Sequence, residues 1–125
     1  MSGRILVVDD SSLARRRARG ILEAGGYEVI EATDGLTAIE QYFIEKPDVV
    51  MLDLVMKGMY GIDVLTRLRE MDPDARVIVV SADVQTSSHE LVDAAGAIGF
   101  LVKPLDEQAA LALVRDALEK SRDAN

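Results

Sequence analysis

The sequence predicts an α/β protein in which a βα unit repeats five times and folds into a five-stranded parallel sheet with helices on both faces. Two observations predict it. Short apolar runs at 5–8, 49–52, 77–80 and 100–102 lack polar alternation, the pattern of strands buried on both sides. Between them, apolar residues recur at helical spacing. A third observation bears on function. The run Val49–Asp53 ends abruptly in a carboxylate, and the other buried runs also stop at polar side chains. An acid there sits at the strand's carboxyl edge, where open α/β sheets keep their ligand sites.

The first strand, 5–8, stops at Asp9-Asp10, and Ser11 or Ser12 caps a helix. That helix has an apolar stripe of Leu13, Ala14, Ala18, Ile21 and Leu22, is crowded with Arg15, Arg16, Arg17 and Arg19, and ends at Gly25-Gly26. Segment 27–32 alternates, with Glu28 and Glu31 around Val29 and Ile30, which suits a less buried edge strand. Asp34 caps the second helix, with Leu36, Ile39, Tyr42 and Phe43 facing inward. Lys46-Pro47 precedes the third strand, and a Gly58/Gly61 segment follows Asp53 as a loose loop. Ile62, Leu65, Leu68 and Met71 mark a third helix that stops before Pro73. The fourth strand, 77–80, ends at Ser81. Thr86 or Ser87 caps a helix through Leu91, Val92 and Ala95, closed by Gly96. The fifth strand, 100–102, ends at Lys103-Pro104, and Asp106 caps a last helix with Ala110, Leu113, Val114 and Ala117 on one face. The connections are too short for a domain boundary, so residues 1–125 read as one domain.

Composition narrows the function. At 125 residues and 49% apolar content the chain can bury a real core and is not disordered. A net charge of −8 argues against nucleic acid as a direct partner and suits capture of a metal cation. The chain has no cysteine, which excludes disulfides, zinc–thiolate sites and thiol catalysis. No run approaches the ~20 residues of a membrane span, and the N-terminal run is too short for a signal peptide, so no membrane insertion and a cytoplasmic location are expected.

Parallel strands bring Asp9-Asp10, Asp53, Ser81 and Lys103 to one edge of the sheet. Singly, each has an ordinary reading as a cap, a turn or a solvated charge. Together, three carboxylates repel one another and destabilise the fold unless compensated. A hard cation relieves that repulsion, and oxygen donors without Cys or His suit Mg²⁺ better than Zn²⁺. With the lysine as a point charge and the serine as a donor, the set fits an aspartyl-phosphate site.

Those residues, in order and at this spacing, resemble the receiver domain of bacterial two-component response regulators, in particular its stand-alone chemotaxis-type members. The resemblance covers essentially the whole chain. The chemotaxis regulator is a standard example of the flavodoxin-like strand order 2-1-3-4-5, so that order is implied by the resemblance. Asp53 is implied as the phosphoacceptor that becomes 4-aspartylphosphate. Asp10 would bind Mg²⁺ directly, Asp9 largely through water, and Asp53 and the Val55 main-chain carbonyl would complete the ligands. Ser81 would move to the phosphoryl group, Lys103 would hold one of its oxygens, and Phe100 would be the switch aromatic. Lys103-Pro104 stands where the family usually has a cis peptide. The fourth helix, fifth strand and fifth helix would form the output surface. The implied partners are a sensor histidine kinase or histidine phosphotransfer protein, a downstream protein target and a separate phosphatase. The chain would be a signalling switch, not an enzyme acting on other substrates.

The sequence departs from the family's pattern in places. Lys57 stands where proline is common, which with Gly58 should loosen that loop. Phe100 replaces the frequent tyrosine, so its inward state is read by packing alone. Val55 and Asp83 occupy positions that tune phosphoryl lifetime, and apolar Val55 cannot hydrogen-bond an attacking water, which implies slow to moderate self-dephosphorylation. Arg15, Arg16 and Arg19 read either as a solvated helix face or as a docking patch for an acidic kinase or phosphotransfer domain. His89 reads as an exposed surface residue, and Met51, Met56, Met59 and Met71 as packing. Two other classes fit the residues less well. An aspartate-nucleophile phosphohydrolase of the haloacid-dehalogenase type needs an acid two residues after the nucleophile, where this chain has Val55. In a flavodoxin-like electron carrier, Asp9-Asp10 would repel the FMN phosphate.

Overall fold

The computed structural model describes residues 3–123 apart from 57, 59 and 83–85, and the side chains of 86–89 and 120–123 also lie outside the described set. Five strands alternate with five helices: β1 (Arg4–Val8), α1 (Ser12–Ala24), β2 (Glu28–Ala32), α2 (Gly35–Glu45), β3 (Val49–Asp53), α3 (Gly61–Met71), β4 (Val77–Ser81), α4 (Thr86–Ala94), β5 (Gly99–Val102) and α5 (Glu107–Asp123). All strand pairings are parallel, in the flavodoxin-like order β2-β1-β3-β4-β5. Among the described residues no helix is long and apolar enough to cross a membrane.

Side chains alternate across a strand with period two, and this builds two cores. On one face Ile5, Val7, Val49, Met51, Ile78, Val80 and Leu101 pack against Ala18, Ile21 and Leu22 of α1 and Ala110, Val114 and Ala117 of α5. On the other, Leu6, Val8, Val50, Leu52, Val77 and Val79 meet Ala38 and Tyr42 of α2, Val64, Leu65 and Leu68 of α3, and Val92 of α4. The same alternation carried to the strand ends puts Asp9, Asp53 and Lys103 in step with the α1/α5 face. Ser81, in step with Val77 and Val79, belongs to the other.

Helix starts follow the predicted caps. Ser11 Oγ accepts from the Ala14 N–H at 3.2 Å, Asp34 Oδ1 from Thr37 at 2.8 Å and Asp106 Oδ2 from Ala109 at 2.8 Å. The Lys103-Pro104 bond is cis. Tyr42 donates its hydroxyl to Asp72 Oδ2 at 2.6 Å and ties α2 to the end of α3. Burial, then the neighbouring Asp72, push that phenol well above its usual pKa.

Several expected inward residues point out. Leu13 (73% exposed), Leu36 (70%), Leu91 (63%), Met71 (51%) and Phe43 (40%) are solvent-facing. A helix lying on a sheet buries only a narrow arc, filled in α2 by Gly35, Ala38 and Tyr42 and in α3 by Gly61, Val64, Leu65 and Leu68. Leu13 and Leu36 lie in the first turns of their helices, near the end of the sheet. The reading of Gly61 as a loop loosener is also corrected. It is the first residue of α3, its N–H donates to the Leu54 carbonyl at 2.8 Å, and an added Cβ would fall on the Asp53 carbonyl oxygen and 2.6 Å from Leu54 Cα. Gly58, with φ +89, is the left-handed turn residue of that loop. Lys57, Met59 and Asp83 lie outside the described residues, as does the His89 side chain.

Two glycine substitutions test this packing by urea unfolding. Gly61→Ala is expected to destabilise by about 1–3 kcal/mol through overpacking against the strand end. Gly20→Ala, on an exposed position of α1 with nothing within 4 Å of the new methyl, is expected to stabilise by about 0.5–1 kcal/mol.

Candidate functional site

Asp9 leaves β1 with its polar atoms engaged by other parts of the fold. Its N–H donates to the Ala32 carbonyl at 3.1 Å, and its own carbonyl accepts from Arg15 Nη1 at 2.8 Å. Its Oδ1 accepts from the Ser11 N–H at 2.9 Å and its Oδ2 from Lys103 Nζ at 2.7 Å. Asp53 ends β3 just 6% exposed, and its Oδ1 accepts weakly from the Val55 N–H at 3.4 Å. Lys103 Nζ reaches Asp53 Oδ2 at 3.5 Å, so one ammonium stands between two buried carboxylates. Asp10 is exposed.

The electrostatics follow from this crowding. Burial raises the Asp53 pKa above the ordinary carboxylate value, the neighbouring Asp9 raises it further, and Lys103 opposes both. Burial works to lower Lys103, but its hydrogen bond to Asp9 and the charge of Asp53 outweigh that and hold it above its ordinary value. Asp9, Asp10 and Asp53 each bring one carboxylate oxygen within 4.8 Å of the others. An all-oxygen donor set of that span fits a small, hard divalent cation such as Mg²⁺.

A cavity of about 430 Å³ opens beside these groups, lined by Asp9, Asp53 and Lys103 at its polar end and by Ala14, Ala18 and Leu105 among its apolar walls. Ser81 is not part of it. Ser81 ends β4 at the same carboxyl edge, between the ends of β3 and β5, but on the other face of the sheet. Ser81 is 1% exposed and lines a separate cavity of about 170 Å³ with Leu54, Val55, Tyr60, Ile62 and Val92. The cause is strand parity, since Ser81 follows Val77 and Val79 to the other side. Phe100 is paired across the ladder with Val79 and packs against the same α2–α4 core. Ser81 and Phe100 thus lie on the α4 side of the sheet, while Asp53 lies on the α1 side.

The arginines of α1 divide. Arg15 Nε donates to Glu31 Oε1 at 2.9 Å and Arg19 Nε to Glu31 Oε2 at 2.6 Å, so both are tied to β2. The Arg19 hydrogen bond, first, and that of Arg15 hold the Glu31 carboxyl below its usual pKa against partial burial. Arg17 donates to the Leu105 carbonyl, and Arg16 is exposed. Val55 is 67% exposed beside Asp53. Glu31 is the residue that sequence reasoning missed. Its partners lie 12 and 16 positions away, and no local pattern announces an acid that two arginines reach from a neighbouring helix.

Comparison with known proteins agrees with this geometry. The family model described as the response regulator receiver domain matches residues 5–115. The chemotaxis protein CheY of Thermotoga maritima is 42% identical, covering 83% of this chain and 88% of its own. That of Bacillus subtilis is 39% identical, covering 94% and 99%. The sporulation initiation phosphotransferase F of Bacillus subtilis is 35% identical, covering 96% and 94%. Among solved structures, a CheY-like receiver domain protein from Methanospirillum hungatei superposes with a TM-score of 0.93 at 23% identity over the whole of both chains, a likeness of fold. A CheX–CheY–BeF3–Mg²⁺ complex from Borrelia burgdorferi superposes with a TM-score of 0.87 at 34% identity, covering 91% of this chain and 87% of that one. Taken with a strand order and an acid-and-lysine edge reached independently of them, these matches place the chain in the response regulator receiver domain family, the CheY-like phosphorylation-dependent switches of two-component signalling.

Proposed function

We propose that this protein takes a phosphoryl group from a phosphohistidine, on a sensor histidine kinase or a histidine phosphotransfer protein, onto Asp53. The observation that carries this is Lys103 Nζ held 2.7 Å from Asp9 and 3.5 Å from Asp53 at the mouth of a three-acid cluster. The Lys103 ammonium opposes the burial and the Asp9 charge that raise the Asp53 pKa, and so favours the ionised carboxylate, the form that attacks phosphorus. As the Asp53 oxygen bonds to phosphorus, the N–P bond of the donor breaks and its electron pair leaves with the imidazole. Lys103 then has a phosphoryl oxygen to hold in place of its contact with Asp53. Asp9, Asp10, Asp53 and the Val55 main-chain carbonyl are the residues to hold Mg²⁺, which when bound supplies charge neutralisation for the phosphoryl oxygens. A phosphohydrolase would need a general acid two residues after Asp53, and Val55 stands there.

The output follows from the two-sided arrangement. Ser81, drawn around the sheet edge to a phosphoryl oxygen, vacates space beside the cavity it lines under α4, and Phe100 turns inward in response. The surface of α4, β5 and α5 then changes for a downstream protein target. Val55 offers no hydrogen bond to an attacking water, and this favours a phosphoryl group that lasts until a separate phosphatase removes it. Asp83, the other lifetime-tuning position, lies outside the described residues. The work is done in the cytoplasm, without membrane insertion or direct nucleic-acid contact. Of the arginines read as docking residues, Arg16 is the one with an exposed side chain, next to exposed Leu13, whereas Arg15 and Arg19 are occupied with Glu31.

Three outcomes test this reading. Incubation with Mg²⁺ and acetyl phosphate should load one acid-labile phosphoryl group per chain, detectable by intact-mass measurement. Asp53→Asn should abolish the loading, and Lys103→Ala should slow it by about a hundredfold or more. Arg16→Glu should slow transfer from a phosphohistidine partner while leaving loading by acetyl phosphate unchanged, and equal effects on both would remove Arg16 from docking. The third outcome concerns stability. A raised carboxylate pKa means that the folded chain holds this proton more tightly than the unfolded chain does. Ionised Asp53 therefore lowers stability as pH rises above the unfolded value of about 4, with the full effect above the folded value. Asp53→Asn should thus raise the Tm by a few degrees at pH 7 in metal-free buffer. The gain should vanish below pH 4 and shrink as Mg²⁺ is added, and a lowered Tm would mean that Asp53 serves the fold.

A further inference from the structure

We propose that Arg15 is a positioning residue for the acid cluster, its guanidinium aimed by Glu31 so that it holds the Asp9 carbonyl and thereby sets the direction in which Asp10 projects. The inference rests on the reading of the cluster as a divalent-cation site. It adds two residues, Arg15 and Glu31, that hold no place in that site themselves.

The argument begins with the peptide linking Asp9 to Asp10. Its plane is rigid, so fixing the Asp9 carbonyl fixes ψ of Asp9 and the starting orientation of the Asp10 backbone. Arg15 Nη1 donates to that carbonyl at 2.8 Å from a side chain only 16% exposed. The Asp9 side chain is already anchored by the Ser11 N–H and by Lys103 Nζ. The peptide after it has Arg15 as its anchor from α1. Asp10 is exposed and follows β1 where the chain leaves the sheet.

The guanidinium is itself aimed. Its Nε donates to Glu31 Oε1 at 2.9 Å, and Arg19, one helical turn on, takes the other oxygen at 2.6 Å and also pairs with Glu23 at 3.0 Å. Two arginines and two glutamates cancel in charge. That balance offsets much of the field of Arg15 at the acid cluster, which leaves direction as its main contribution. A guanidinium suits this task because its planar donors serve two acceptors at fixed angles, which an ammonium cannot do.

These two roles differ in sign, and the sign is measurable. A bare positive charge beside a cation site weakens cation binding, so removing it would tighten binding. A positioning residue does the reverse. The measurement is the Kd of the unphosphorylated full chain for Mg²⁺ alone, by isothermal titration calorimetry at low and high potassium chloride. Arg15→Met is expected to weaken binding about tenfold, in the range seen when groups that orient metal ligands are removed. Glu31→Gln should weaken it several-fold, and Arg15→Lys should fall between Arg15→Met and the parent. Each ratio should persist at high salt, because a hydrogen bond that sets geometry is screened little. An unchanged or tighter Kd in Arg15→Met would overturn the proposal. A ratio that collapses in high salt would overturn it equally, by showing a field effect. If Arg15→Met does not fold, Glu31→Gln and Arg15→Lys decide by the same criteria. A parent chain that binds no Mg²⁺ would instead count against the cation reading of the cluster, so the two failures are distinguishable.

Discussion

The ammonium of Lys103 lies between two carboxylates that would otherwise repel across a buried gap. Asp9 and Asp53 are each about nine-tenths or more buried, and burial is the first cause that raises the Asp53 pKa. In the proposed transfer a proton on Asp53 would remove its nucleophilic character, so the charge on Lys103 serves the proposed chemistry as well as the fold. The contacts are unequal, 2.7 Å to Asp9 against 3.5 Å to Asp53. The shorter contact anchors the lysine. The longer one leaves Asp53 less committed, which suits the exchange of partners that the proposed transfer requires.

Much of this was legible in the amino-acid order because the physics is local or topological. Apolar runs without alternation gave the buried strands, and Ser11, Asp34 and Asp106 gave the helix starts through their own side-chain bonds. The convergence of Asp9, Asp53 and Lys103 needed only that consecutive strands be parallel. Three things were less legible. Which face of the sheet Ser81 occupies follows from counting in twos from Val77, a signal present in the sequence and easily overlooked. The outward Leu13, Leu36 and Leu91 obey helical periodicity, but periodicity does not say how wide an arc the sheet covers. The Arg15–Glu31–Arg19 cluster is a long-range contact between a helix and an edge strand, and charge patterning along either segment alone does not reveal it.

Parity also explains how one short chain separates chemistry from output. Asp9, Asp53 and Lys103 share a side with α1, whose exposed Leu13 lines the cavity beside them. Ser81 and Phe100 share the other side with α4. The sheet between them is packed with fully buried Val50, Leu52, Val79 and their neighbours, which resist deformation. A change at Asp53 therefore has to pass around the carboxyl edge, where β4 runs out, instead of through the barrier.

Gly61 gives that edge a fixed point. With its Cα seated against the main chain of Asp53 and Leu54, the start of α3 braces the strand end from behind. If the proposed phosphoryl group arrives on the Asp53 side chain, the backbone beneath it is braced against recoil. In the proposed switch the response would then fall on the groups in front of the strand end, and a glycine with no side chain becomes the anvil against which the switch is struck.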